Sequence, residues 1–153
     1  MLTEGQKAPD FTLSDQDGNA VTLSSYKGTP VVLYFYPKDD TPGCTAEACA
    51  FRDARQEYEQ AGAKVIGVSP DSVASHVKFA RKHDLSFTLL ADVDKHVCEM
   101  FCVWKEKSMY GKKYMGVERT TFLIDREGLI RKIFPKVSVT GHAKEVLEAL
   151  KVI

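Results

Sequence analysis

Six consecutive residues, Val31-Val32-Leu33-Tyr34-Phe35-Tyr36, are apolar or aromatic with no alternation between wet and dry positions. A strand with one face in water alternates; a strand covered on both faces does not. This run therefore predicts a central strand with packed layers above and below it. Lys64-Val65-Ile66-Gly67-Val68-Ser69 reads as a second buried strand. Between the two, residues 45–60 are helix-like and are stopped by Gly62. Upstream, residues 11–13 and 20–23 flank a polar turn with Asp17-Gly18 at its tip, which predicts a hairpin. Ser24 offers a cap for a short turn ending at Gly28. Downstream the pattern predicts a helix near residues 71–83, a strand at 87–90 and a helix over 95–104. Strands at 120–124 and 129–134 follow, around the turn Asp125-Arg126-Glu127-Gly128, and a helix near 142–150 closes the chain. Residues 105–115 carry no specific pattern and read as a loop solvated by Lys112-Lys113. Strands alternating with helices, and paired strands late in the chain, predict an α/β fold around a mixed sheet.

No repeat, linker or low-complexity tract divides the 153 residues, so one domain over 1–153 is expected. Lys plus Arg and Asp plus Glu number 21 each. No global basic field gathers nucleic acid or anionic lipid, and no apolar segment approaches the roughly 20 residues of a membrane span. The N-terminus lacks a basic patch followed by an apolar stretch, so a secretory leader is not expected. Four cysteines in a chain of this size do not form a disulfide scaffold. A cytoplasmic protein with reduced thiols is expected, with a monomer favoured.

Cys44 sits in Pro37-Lys38-Asp39-Asp40-Thr41-Pro42-Gly43-Cys44-Thr45, at a strand-to-helix junction. The first N–H groups of a helix lack intrahelical partners and carry partial positive charge, which favours a thiolate. Thr41 is the candidate N-cap and Pro42 the first helical residue, where a missing N–H costs nothing. Glu47, Phe51, Ala54 and Tyr58 form one stripe facing the core, with Cys44 at its edge. Cys49 falls about 140° round from Cys44 on the polar side, presented to water. Five helical residues separate Cα atoms by roughly 8–9 Å, whereas a disulfide needs about 4.4–6.8 Å. A Cys44–Cys49 bond therefore requires the first helical turns to unwind. A free cysteine near a helix start is also often a small buried filler. Thr41 occupies the first position of the Cys-x-x-Cys pattern of dithiol exchange sites, so that pattern is incomplete.

Together Pro37-x3-Thr41-x2-Cys44 and Thr41-Pro42-Gly43-Cys44-Thr45-x-Glu47-Ala48-Cys49 resemble the peroxiredoxins, in particular the bacterioferritin comigratory protein and peroxiredoxin Q subfamily. The likeness extends through Gly5-x2-Ala8-Pro9-Asp10-Phe11, Tyr34-Phe35-Tyr36-Pro37, Gly67-Val68-Ser69 and Glu118-Arg119-Thr120-Thr121-Phe122-Leu123-Ile124. The resemblance implies a thioredoxin-like fold and thiol-dependent reduction of hydroperoxides without a cofactor or metal. It implies Cys44 as peroxidatic cysteine, Thr41 and Arg119 as activating partners, Cys49 as resolving cysteine and thioredoxin or a similar dithiol as reductant. The Gly43 and Cys44 N–H groups can supply further hydrogen bonds, and Pro37, with no N–H and a rigid ring, suits a wall beside the sulfur.

Other residues have ordinary readings. Arg119 is also readable as a surface ion-pair residue, and Glu47 either orients Arg119 or serves the helix N-terminus or Arg55. Val97, Phe101 and Trp104 read as core. His76, His83, His96 and His142 are scattered away from Cys44, so a cysteine–histidine hydrolase pair has no local support. Cys98 and Cys102 read first as buried fillers on the helix over 95–104. Alternatively one of them resolves Cys44, or all four thiols form a zinc site, although the spacings fit that loosely. The functional rivals are a protein-disulfide oxidoreductase and a redox-responsive holdase.

Overall fold

Val31–Phe35 forms strand β3, and all five of its side chains are buried. The computed structural model describes residues 1–153. Its other strands are β1 (Thr12–Asp15), β2 (Ala20–Thr22), β4 (Lys64–Ser69), β5 (Thr88–Ala91), β6 (Trp104–Met109), β7 (Lys112–Val117), β8 (Thr120–Ile124) and β9 (Ile130–Phe134). The helices are α1 (Pro42–Asp53), α2 (Arg55–Gln60), α3 (Val73–His83), α4 (His96–Met100) and α5 (His142–Leu150). Seven strands make one mixed sheet in the order β2-β1-β5-β4-β3-β8-β9, while β6 and β7 pair only with each other. This is the expected thioredoxin-like α/β fold, with β3 between parallel β4 and antiparallel β8.

The parallel strands β3, β4 and β5 advance in one direction along the sheet, and right-handed crossovers between them put their helices on the same face. Alternation along β3 sends Val32 and Tyr34 into that layer, with Phe51 of α1, Tyr58 of α2, Phe79 of α3 and Val146 of α5. Val31, Leu33 and Phe35 enter the opposite layer, with Val97 and Cys98 of α4, Phe101, and the N-terminal Ala8 and Phe11. The N-terminal hairpin forms as its turn residues predict. Asp15 accepts the N–H groups of Asp17 and Asn19, both at 2.9 Å, and Gly18 takes a φ of +80°.

Four expectations need correction. The helix over 45–60 is two helices, because Ala54 leaves helical geometry with ψ near 11°. The second piece still seats Tyr58, whose hydroxyl donates to the Ala143 carbonyl and ties α2 to α5. Ser24 does not cap the short turn. The 3-10 turn spans Leu23–Tyr26 with Thr22 before it, and the Ser24 N–H goes to Asp10. The helix over 95–104 is only five residues long. Lys95 and Cys102 both adopt left-handed φ, +62° and +61°, which bounds it at each end. Cys102 is therefore exposed outside the helix rather than buried in it, and Trp104 starts a strand, half-buried beneath the Lys95 ammonium. Finally, residues 105–115 are not a loop: β6 and β7 form a hairpin turning at Tyr110-Gly111, both at positive φ.

Candidate active site

The chain leaves β3 through Tyr36 and Pro37 and enters α1 at Thr41, whose φ of −90° and ψ of 155° mark the N-cap position. Pro42 follows as first helical residue, as expected. The Thr41 hydroxyl does not cap the helix. It donates to the Lys38 carbonyl at 2.8 Å and so closes the turn before the helix. The Gly43 and Cys44 N–H groups find no acceptor in the protein; the Thr45 N–H, bonded to the Thr41 carbonyl at 2.8 Å, is the first that does. Cys44 thus lies in the first turn with free donors around it, 1 % exposed.

Arg119 reaches this sulfur from the connection between β7 and β8. Its Nη2 lies 3.4 Å from Cys44 Sγ, and its Nη1 donates to Glu47 Oε1 at 2.6 Å. One guanidinium thereby spans two positions of α1 three residues apart, a geometry that a planar fork allows and an ammonium does not. Gly43 makes the approach possible: a Cβ there would stand 3.0 Å from Arg119 Nη2. Burial opposes the Arg119 charge, but Glu47 and Cys44 more than offset it and hold the guanidinium firmly protonated. Burial pushes the Glu47 carboxyl up to about 7, against the opposing pull of Arg119. Of the two readings of Glu47, the structure selects the one that orients Arg119.

Tyr34 supports the same helix from the sheet. Its ring stacks on Phe51 of α1 at 4.8 Å and on Tyr36 at 5.4 Å. Gly67 on β4 leaves the space, since a Cβ there would come within 2.9 Å of the Tyr34 hydroxyl. That hydroxyl and Glu47 Oε2 are both buried without a partner. Burial, with the nearby Glu47 and Cys44, pushes the phenol well above its ordinary range, so it stays neutral.

A network that sequence reasoning missed anchors the loop before α1. Asp39 accepts from the Tyr36 hydroxyl at 2.6 Å and the Ser75 hydroxyl at 2.7 Å, and pairs with His76 Nδ1 at 2.7 Å. The other ring nitrogen of His76 faces the Leu90 carbonyl at 2.9 Å; a carbonyl only accepts, so Nε2 carries a proton. Asp71 holds the Asp39 N–H at 2.8 Å. Ligand atoms of Asp39, Asp71 and His76 lie close enough to share a cation, but the Asp39, Asp71 and His76 atoms are committed to these hydrogen bonds. That cluster contains no cysteine, and the four thiols do not converge on a common point. Cys49 is half-buried on α1 rather than fully presented to water. Cys98 is buried in the opposite layer of the sheet, so it cannot meet Cys44.

The AhpC/TSA family model matches residues 4–133. Peroxiredoxin Bcp of Bacillus subtilis is 54 % identical over 147 residues, 96 % of this chain and 94 % of that one. Peroxiredoxin Bcp of Escherichia coli is 47 % identical over 150 residues, covering 98 % and 96 %. Among solved structures, peroxiredoxin Q of Xanthomonas campestris superposes with a TM-score of 0.89 at 48 % identity, covering 93 % of this chain and 90 % of that one. That organism's bacterioferritin comigratory protein, described for alkyl peroxide reduction, gives 0.89 at 47 % identity over the same shares. A charged guanidinium held on a buried thiol at a helix start, in a chain with these relatives throughout its length, leaves one assignment: it belongs to the peroxiredoxins, thiol-dependent peroxidases, in their bacterioferritin comigratory protein and peroxiredoxin Q branch.

Proposed function

We propose that Cys44 is the peroxidatic nucleophile and Cys49 the resolving thiol of an intramolecular cycle. The observation that carries this reading is the Arg119–Cys44 contact at 3.4 Å, made by a guanidinium that Glu47 holds in place. The Cys44 thiolate attacks the terminal oxygen of a hydroperoxide, the S–O bond forms, and the O–O bond breaks. Charge moves from sulfur to the leaving oxygen, and donors already fixed along that line lower the barrier most. Arg119 serves both ends of it. The free Gly43 and Cys44 N–H groups add to the donor set, Thr41 fixes the turn that presents them, and Pro37 walls the sulfur. The Xanthomonas relative's alkyl peroxide reduction supports organic hydroperoxides as substrates beside hydrogen peroxide.

The sulfenic acid on Cys44 then condenses with the Cys49 thiol, giving a disulfide and water. Both residues lie on α1, roughly 8–9 Å apart between Cα atoms of an intact helix, so its first turns unwind at this step. Thioredoxin or a similar dithiol restores both thiols by exchange. Cys44→Ser is expected to abolish peroxide consumption. Cys49→Ser is expected to consume about one equivalent and then stall or over-oxidise. Full steady-state turnover with thioredoxin in Cys49→Ser would remove that residue from the cycle. Insulin reduction without peroxide would instead favour a disulfide oxidoreductase.

A further inference from the structure

The β6–β7 hairpin stands outside the main sheet and is polar on both sides, yet one of its lysines is unlike a solvated surface group. Lys107 is half-buried between the exposed neighbours Glu106 and Ser108. It lies opposite Tyr114, while Gly116 lies opposite Lys105, one step closer to the hairpin base on the same face. The Lys107 stem leans that way: a Cβ at Gly116 would meet its Cδ at 3.4 Å and its Cε at 3.6 Å. From that base the chain runs through Glu118 to Arg119. Lys105 pairs with Glu118 at 2.9 Å and Lys113 reaches Glu106 at 3.7 Å, but no acceptor holds the Lys107 ammonium. The charged groups it faces are Arg119 and Glu118, from the β7–β8 connection, and Cys44, from α1. Burial and Arg119 push its pKa down, while Cys44 and Glu118 pull it back up.

Peroxide cleavage leaves one role unfilled. The departing oxygen carries a negative charge and takes up a proton. Arg119 cannot release one, because a guanidinium is not deprotonated in proteins. Cys44 attacks as a thiolate and has no proton left. The Thr41 hydroxyl is engaged with Lys38, and Glu47 is sealed at 1 % exposure against the guanidinium. An ammonium with no acceptor of its own, leaning toward the sulfur from outside, has the proton and the position.

We propose that Lys107 is the general acid of peroxide cleavage, donating its proton to the departing oxygen. As the S–O bond forms and the O–O bond breaks, the electron pair stays on the leaving oxygen. That oxygen takes a proton from Lys107 Nζ and departs as water or an alcohol; the neutral amine regains a proton from solvent. This rests on Cys44 being the nucleophile, and the test separates the two. Single-turnover oxidation of the full chain is measured with hydrogen peroxide and with peracetic acid, whose carboxylate leaving group needs no proton. Lys107→Met is expected to slow oxidation by hydrogen peroxide roughly 100-fold and to change the peracetic acid rate by less than about twofold. Equal slowing with both oxidants, or slowing with neither, overturns the proposal. So does recovery of the wild-type hydrogen peroxide rate in Lys107→Arg, which keeps the charge but has no proton to give. Failure of the wild-type thiol to react with either oxidant overturns the nucleophile itself, and Lys107 with it. Thermal melts of the variants confirm that the hairpin exchange has not unfolded the chain.

Discussion

Cys44 and Cys98 are both shut away from water, at 1 % and 0 % exposure, and each lies in the first turn of a helix. They occupy opposite layers of one sheet, and their company differs in sign. Cys44 faces a guanidinium and free backbone N–H groups. At Cys98 the helix start is already occupied: Asp92 accepts the Cys98 N–H at 2.7 Å and the Val97 N–H at 3.2 Å. Burial, reinforced by that carboxylate, pushes the Cys98 thiol far above the range in which it ionises. Burial at a helix start therefore does not make a thiol reactive. The sign of the charge beside it decides, and only one of these sites supplies a cation.

The contrast should break most sharply at Arg119. Arg119→Lys keeps a positive charge for Glu47 but loses the fork that also reaches sulfur. The second-order rate of Cys44 oxidation, followed by stopped flow, is expected to fall about 100-fold, as for loss of one fixed donor at a developing charge. A fall smaller than about threefold would mean that the helix start suffices without the guanidinium.

Glu47 sharpens the comparison from the other side, because the reactive layer also contains a buried carboxyl. Its folded-state value is raised from 4.5 to about 7, so the native state holds a proton that the unfolded chain has released. Stability from this group is complete below about pH 4.5 and declines as pH rises toward 7, the native state binding more protons throughout that window. Glu47→Gln removes the titration. Melting profiles from pH 4.5 to 8 are expected to show the wild type losing on the order of 3 kcal/mol relative to the variant across that range. Parallel profiles would show that Arg119 keeps Glu47 ionised throughout.

Local pattern made much of the molecule legible. The apolar run at 31–36, the Asp17-Gly18 turn and the Thr41-Pro42 helix start each act within a few residues, and each formed as read. Contacts between distant segments left no such mark. Arg119 lies 75 positions from Cys44, and only the family resemblance joined them. His76 is 37 positions from Asp39, so scattered histidines concealed a buried pair. The β6–β7 hairpin was invisible because Trp-Lys-Glu-Lys-Ser-Met and Lys-Lys-Tyr-Met-Gly-Val bury neither face consistently and therefore do not alternate. The helix over 95–104 was overextended for the opposite reason. Val97, Phe101 and Trp104 keep helical spacing, but the left-handed Cys102 turns the chain before Trp104 is reached.

Cys98 should give the smallest effect, and it is the other half of the comparison. Its sulfur packs against Phe101 and the sheet but faces no cation, and the sheet stands between it and Cys44. Cys98→Ala removes one buried atom, so a stability loss of about 1 kcal/mol is expected, read from denaturant melts. Peroxide consumption should stay unchanged. After one equivalent of peroxide, non-reducing mass spectrometry of the wild type should find Cys44 joined to Cys49 and Cys98 still a free thiol. A disulfide that includes Cys98 would require the two layers to exchange residues through the sheet. Finding one would show that the separation of the thiols, and with it the sign rule drawn from them, does not hold in the working enzyme.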